Sequence, residues 1–370
     1  MPDPAPAAGE DDLARWRQTI DSVDAELVTL LNRRAEAARA IGERKRADGA
    51  PIYVPHREQQ VFERVCGLNH GPLPDAALRS IWREIMSASL ALERPLTICH
   101  FAGPGSFTHL AARLKFGDGV RYHSAATIAE VFAVVERGHA DYGVVPIENS
   151  TDGGITDTID AFCQTRLRIV GEFGVRVRHH LMARCPREAI RRVYSKHTVF
   201  GQCAGWLAAN LAGVERIEIG STTQAAERAA REEGAAAIGN REAADEYGLD
   251  VLAQDVEDNP TNTTRFVVLA DPRLAAQPSG DDKTSLMFGL RDRPGALYDS
   301  LVPFHGSGIN LCRIESRPSR RQPWEYVFFI DILGHERDAA VAEAIERLAG
   351  MATSVQILGS YPRTSRPLND

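Results

Sequence analysis

TICHFAGPGSFTHLAARLKF, residues 97–116, reads as a short apolar strand, a turn carrying Gly103 and Gly105, and a helix from Thr108. The alternation continues downstream. TIAEVFAVVERG (127–138) reads as a helix, DYGVVPIEN (141–149) and RIVGEF (168–173) as strands, then come a helix from Phe200, the strand RIEIG (216–220), the helix TQAAERAAREEG (223–234), and the strands AAAIG (235–239) and TRFVVLA (264–270). Strands and helices in turn predict an α/β domain of mostly parallel strands over 95–270.

Upstream of Arg94 and Pro95 the texture differs. Apolar residues recur at 13, 16, 20, 23, 27, 30, 37 and 41, the three-and-four spacing of one helix seam. Arg57 to Cys66 and Pro74 to Leu92 read as two further helices, with GPLP at 71–74 as the break. Residues 13–94 are thus expected to be all-helical and 1–12, MPDPAPAAGEDD, a disordered tail. Downstream, 271–282 is polar and rich in Pro and Gly, a linker. Over 283–370 the order is strand, helix, strand, strand, helix, strand, the ferredoxin-like βαββαβ pattern.

A chain of 370 residues, 44% hydrophobic and 25% charged, has the material for two or three cores. The formal charge of -7 argues against nucleic acid or an anionic membrane as partner. No apolar run reaches the ~18 residues of a membrane span and the N-terminus is acidic, so a cytoplasmic protein is expected. The six cysteines form no CxxC pair and suit a reducing compartment. Among eleven histidines none forms an HExxH or similar cluster, so no metal or other cofactor is expected.

Arg34 falls on the apolar seam, where a guanidinium needs an anion. Lys45 and Arg17 share a neighbouring stripe, but the 28 residues between them span roughly 42 Å of helix. Arg17 can serve a pocket at Arg34 and Lys45 only from a second chain. The bland alternative is that Arg17 and Lys45 are solvated charges and Arg34 snorkels. Polar clusters also end several α/β strands, where open sheets collect ligands: Gly103 to Ser106, Glu148 to Thr151, Ser221 to Thr223, and Thr263 to Arg265. Each, taken alone, is equally a helix cap or a strand end.

Taken together these residues resemble known families. Trp16, Arg17, Ile20, Asp24, Leu27, Asn32, Arg34, Lys45, Arg57, Glu58, Ser89 and Glu93 resemble the all-helical chorismate mutases. The likeness implies Arg17 from the partner chain, Arg34 and Arg57 on the substrate carboxylates, and Lys45 and Glu93 at the ether oxygen. Glu58 and Ser89 would place the hydroxyl and carboxylate. A Claisen rearrangement needs only a compact conformer and donors where negative charge grows. Glu93 donates only when protonated, so the likeness also implies a mutase favoured by acid. Val54 stands where an Asp is common.

FAGPGSFTHLAA, VPIENSTDGGITDT, VYS followed by QC, and NTTRFVVL resemble the prephenate dehydratases in family order. That implies a two-lobed α/β fold of the periplasmic-binding-protein kind, with Thr264 the residue on which dehydration depends and Arg265 anchoring a carboxylate. Asn149, Ser150 and Ser106 are the candidates to polarise Thr264. Lys196, His197 and Thr198 replace a common His, Pro and Gln. Arg293 to Leu297 and Glu315, Ser316, Arg317, Pro318 resemble the ACT regulatory domain, in which such segments frame phenylalanine between protomers. Gly295, Ala296 and Leu297 would offer backbone amides to its carboxylate.

The expectation is a homodimeric enzyme carrying chorismate to phenylpyruvate under phenylalanine feedback. Its rivals are an arogenate dehydratase and an amino-acid-binding regulatory protein without catalysis.

Overall fold

The computed structural model describes residues 8–48, 53, 55–318, 326–364 and 367–369. Helix α1 (Ala8–Ala47) begins inside the stretch expected to be a disordered tail, whose residues 1–7 lie outside the described residues. Its 40 residues make a rod of about 60 Å. α2 (Pro55–Gly67) and α3 (Asp75–Glu93) complete the helical segment, and α3 packs along α1. The seam expected to be buried is not covered within the chain. Leu13, Trp16, Ile20, Val23, Leu27 and Leu30 remain 48% to 61% exposed.

The first lobe of the middle segment holds β1 (Thr97–Phe101), α4 (Phe107–Phe116), β2 (Arg121–Ala125), α5 (Ile128–Glu136), β3 (Tyr142–Asn149), β4 (Gly153–Gly154), α6 (Thr156–Phe162) and β5 (Arg168–Arg176). The chain then crosses to a second lobe of β6 (His180–Ala183), β7 (Arg192–Ser195), α7 (His197–Gln202), α8 (Ala204–Asn210), β8 (Glu215–Glu218), α9 (Thr222–Arg231), β9 (Ala235–Gly239), α10 (Arg241–Tyr247) and β10 (Asp250–Ala253). It returns through β11 (Thr263–Ala270) into the centre of the first sheet, whose order is β2-β1-β3-β11-β5.

This double crossing corrects the expectation of mostly parallel strands. β11 re-enters from the far lobe and so runs antiparallel to both β3 and β5, and in the second sheet β6 is antiparallel to β9 and β10. Two apolar layers cover the first sheet. Phe173 and Phe266 stack across β5 and β11 at 5.7 Å, each burial being worth about 1.5–3 kcal/mol.

The C-terminal segment runs β12 (Asp282–Leu290), α11 (Ala296–Gly306), β13 (Leu311–Pro318), β14 (Tyr326–Leu333), α12 (Ala339–Ala349), β15 (Ser354–Pro362), with the antiparallel order β13-β14-β12-β15. Its helices cover one face. Through the other face Met287, Phe329, Leu358 and Tyr361 join the same core as Val145, Ile147, Phe162 and Ile169 of the first lobe. The approach is close enough that a Cβ at Gly359 would lie 2.1 Å from the Ile169 carbonyl oxygen. The presumed linker is accordingly no loose tether. Leu274 packs on the first lobe, Ala276 is buried, and Asp282 opens β12 while accepting from the Ser279 amide at 2.7 Å.

Candidate functional site

Two sites emerge, one in the helical segment and one in the cleft between the lobes. A cavity of about 390 Å³ opens between α1, α2 and α3, and Arg34, Lys45, Arg57, Glu58 and Ser89 all line it. Arg34 donates to the Ser89 hydroxyl at 2.5 Å, and Ser89 donates to the Ile85 carbonyl at 2.7 Å, so the guanidinium is held in place. Arg17 is not part of the lining. Glu93 ends α3, and its side chain lies outside the described residues, as does Val54.

The sequence reading missed five polar lining residues: Tyr53, Arg64, Arg83, Ser87 and Lys115. Arg64 and Arg83 sit on the inner faces of short helices and carried no spacing signal of their own. Burial and the Arg64 charge lower the Arg34 pKa, and burial lowers that of Arg83, partly offset by Glu58 and Glu84. Of the described lining residues six are cationic and only Glu58 is anionic. Such a cavity is suited to a small ligand with two negative charges.

In the cleft, Thr264, the second residue of β11, lies directly opposite Asn149 at the end of β3. Asn149 donates from Nδ2 to Thr264 Oγ1 and to Asn262 Oδ1, each at 2.9 Å. Its Oδ1 accepts from the Thr151 and Asp152 amides at 2.9 and 3.0 Å, which fixes the carboxamide. Ser150 accepts from the Thr263 amide at 2.9 Å. Of the three candidates, Asn149 is therefore the residue that touches the Thr264 hydroxyl. Ser106 caps α4 instead, accepting from the His109 amide at 3.1 Å, and Ser221 caps α9 in the same way.

The lobes meet across this cleft. Gln202 donates to Asp152 at 2.9 Å and shares a 2.8 Å bond with His179. Burial, and the neighbouring His180, bring the His179 pKa down to about 4 even though Gln202 works the other way, so this ring is neutral. Gly105 has φ +75°, and a Cβ there would lie 3.1 Å from the Ala243 Cα of α10 in the second lobe. Only glycine suits both the turn and that approach.

Arg265 is held by ion pairs on the other side of the strand. Neighbouring strand residues face opposite sides, so Arg265 points away from the side on which Thr264 meets Asn149. Its guanidinium contacts Asp331 at 2.6 Å, Glu172 at 3.1 Å and Glu148 at 3.3 Å. Burial disfavours its charge, but Asp331 and Glu172 outweigh that and hold its pKa above the ordinary arginine value. Lys283 joins at 2.8 Å from Glu172, and Ser285 donates to Asp331 at 2.5 Å. These contacts tie the dehydratase-like sheet to the C-terminal one, and the expected role as carboxylate anchor is not what this geometry supports.

The expected phenylalanine segments are likewise divided. Gly295 caps α11 in the left-handed region at φ 78°, with Ala296 and Leu297 in the first turn. β14 stands between β13 at the sheet edge and β12, the strand that leads into that turn, so the two segments are carried by strands that are not neighbours. Along β13, Glu315 and Arg317 face the first lobe: Glu315 takes a bond from Arg313 and abuts Gly154, and Arg317 reaches Asp160 at 3.4 Å. Ser316 and Pro318 are on the exposed face.

Comparison with known proteins follows the same three-part division. The family model for chorismate mutase type II matches residues 16–94, that for prephenate dehydratase 98–273, and that for the ACT domain 284–350. A bifunctional chorismate mutase/prephenate dehydratase of Aquifex aeolicus is 41% identical over 358 residues, 95% of this chain and 98% of that protein. The prephenate dehydratase of Arthrobacter aurescens, solved with L-Phe, is 34% identical with a TM-score of 0.68, over 72% of this chain and 90% of its own. A structure described as a quorum-quenching acylase gives 28% identity and a TM-score of 0.67, over 72% and 98%. The dehydratase-plus-ACT scaffold alone thus does not decide chemistry.

Proposed function

This chain belongs to the bifunctional chorismate mutases/prephenate dehydratases, and from that premise we infer how its two sites divide the chemistry. The enzyme rearranges chorismate to prephenate, then converts prephenate to phenylpyruvate, with feedback by phenylalanine through the ACT domain.

The excess of cations in the helical cavity carries the assignment of the first step. Arg34, steadied by Ser89, and Arg57 take the two carboxylates, Glu58 accepts from the ring hydroxyl, and Lys45 with Glu93 serves the ether oxygen where charge builds. No nucleophile is required. In the cleft, the Asn149 amide occupies a lone pair of Thr264 Oγ1, which leaves the hydroxyl proton to hydrogen-bond to the departing ring hydroxyl while carbon dioxide leaves.

The exposed apolar stripe of α1 supports a homodimer, in which Arg17 enters the partner's cavity. Mixing Arg17→Ala chains with Lys45→Ala chains should then restore part of the mutase activity that each lacks alone, since some cavities are rebuilt from undamaged parts. No recovery after demonstrated subunit exchange refutes the shared site. Phenylalanine would lie between protomers at the Gly295 turn and the outward Ser316 and Pro318. Among the described residues no helix is long and apolar enough to cross a membrane, and a cytoplasmic location fits the soluble substrates.

The whole reading is tested by supplying chorismate and following prephenate and phenylpyruvate with and without phenylalanine. Phenylpyruvate should accumulate and phenylalanine should suppress it. Prephenate accumulating without phenylpyruvate would overturn the second site, and turnover of arogenate in preference to prephenate would correct the substrate.

A further inference from the structure

Lys115 lies in the last turn of α4, where a cation ordinarily just complements the helix dipole. Here it leaves its own domain. Its Nζ is 2.6 Å from Glu58 Oε2, with both side chains about nine-tenths buried at 13% and 14% exposure. The Tyr53 hydroxyl donates to the same oxygen at 3.1 Å. Tyr53 in turn packs on Phe116 and Tyr142 of the dehydratase domain, with ring centroids 5.0 and 5.2 Å away.

The end of α4 is docked too firmly for this to be a passing contact. The Gly119 amide donates to Ser87 at 2.8 Å and the Asp118 amide to Glu84 at 3.1 Å, both on α3. A Cβ at Gly119 would lie 2.6 Å from the Ser87 carbonyl oxygen, so the two segments meet backbone to backbone with no room for a side chain between.

Among the described lining residues Glu58 is the one carboxylate beside six cations, and Arg83 pulls on it electrostatically. Left alone it would turn toward whichever cation came nearest and compete with the substrate's carboxylates for it. Both described bonds to Glu58 fall on Oε2. We propose that Lys115, a residue of the dehydratase domain, is a positioning residue of the mutase site: with Tyr53 it pins Glu58 Oε2 and presents Oε1 to the substrate hydroxyl. The mutase site is therefore complete only with the dehydratase domain docked. α4, about 15 Å long, runs from Ser106 at the cleft loop to Lys115 in the mutase wall, one rigid element shared by both sites.

This inference rests on the assignment of the helical cavity to the mutase, and the test separates the two. In the full-length enzyme Lys115→Met should lower mutase kcat/KM about tenfold or more, the loss expected for a charge-assisted hydrogen bond. Lys115→Arg should recover most of it. Dehydratase kcat/KM measured from prephenate should stay within about twofold, which also reports that the protein is folded. Because Lys115 acts through Glu58, Lys115→Met combined with Glu58→Gln should be no worse than Glu58→Gln alone. Additive losses, unchanged mutase kinetics, or equal loss of both activities would overturn the proposal. Arg34→Ala serves as the reference: if it too spares the mutase, the cavity assignment fails; if it abolishes turnover while Lys115→Met does not, only the role of Lys115 fails.

Discussion

Thr264→Val should lower dehydratase kcat by at least about 100-fold, within the range for loss of a positioned proton donor, and leave chorismate consumption within about twofold. Valine keeps the shape of threonine and suits a strand, so β11 should form as before. Asn149 also donates to Asn262 and is held by the Thr151 and Asp152 amides, so it stays in place when its bond to Oγ1 is lost. What disappears is the hydroxyl alone. Assaying prephenate and chorismate separately on the same preparation decides the matter. Retained phenylpyruvate formation, or equal loss of both activities, would mean that Thr264 does not supply the hydrogen bond to the leaving group.

Arg265→Met should destabilise the folded chain by about 3–5 kcal/mol, the cost of removing one partner from a buried ion pair. Glu172 and Asp331 are 2% and 3% exposed at their side chains, and each would be left with less than it needs: Glu172 with Lys283, Asp331 with Ser285. Urea unfolding followed by circular dichroism measures the loss. The alternative role, anchoring a substrate carboxylate, makes the opposite forecast. Under it the prephenate KM rises steeply and the unfolding midpoint barely moves. A neutral Arg265→Met in urea would therefore reject the structural role drawn here.

Much of the layout was legible because its signals are local. The three-and-four spacing from residue 13 to 41 gave α1, and the break at Arg94 and Pro95 and the βαββαβ order located the changes of architecture. Strands β2, β4, β6, β7 and β10 went unread, none of them longer than five residues and so too short to show a clear period. The antiparallel entry of β11 was invisible because it depends on which lobe the chain has just left.

The sites were legible residue by residue, not contact by contact. Thr264 and Asn149 were both named, yet their bond spans 115 positions and no spacing rule reaches that far. Lys115 and Glu58 are 57 apart, and Lys115 looked like any helix-end cation. For Arg265 a signal of its ion pairs was at hand: in TTRF, strand alternation already puts Thr264 and Arg265 on opposite faces. An acid at position 331 inside the apolar run EYVFFIDIL, which needs a buried cation, pointed to its partner.

The core shared by the ACT sheet and the first lobe has a bearing on how such a gene can change. Cutting the chain ahead of β12 would not simply remove a sensor. It would expose Val145, Ile147, Phe162 and Ile169, now covered by Met287, Phe329, Leu358 and Tyr361, as one apolar patch on the remaining enzyme. It would also strand Glu172 and Arg265 without their partners across the seam. A stop codon there should therefore cost solubility as well as the regulatory domain.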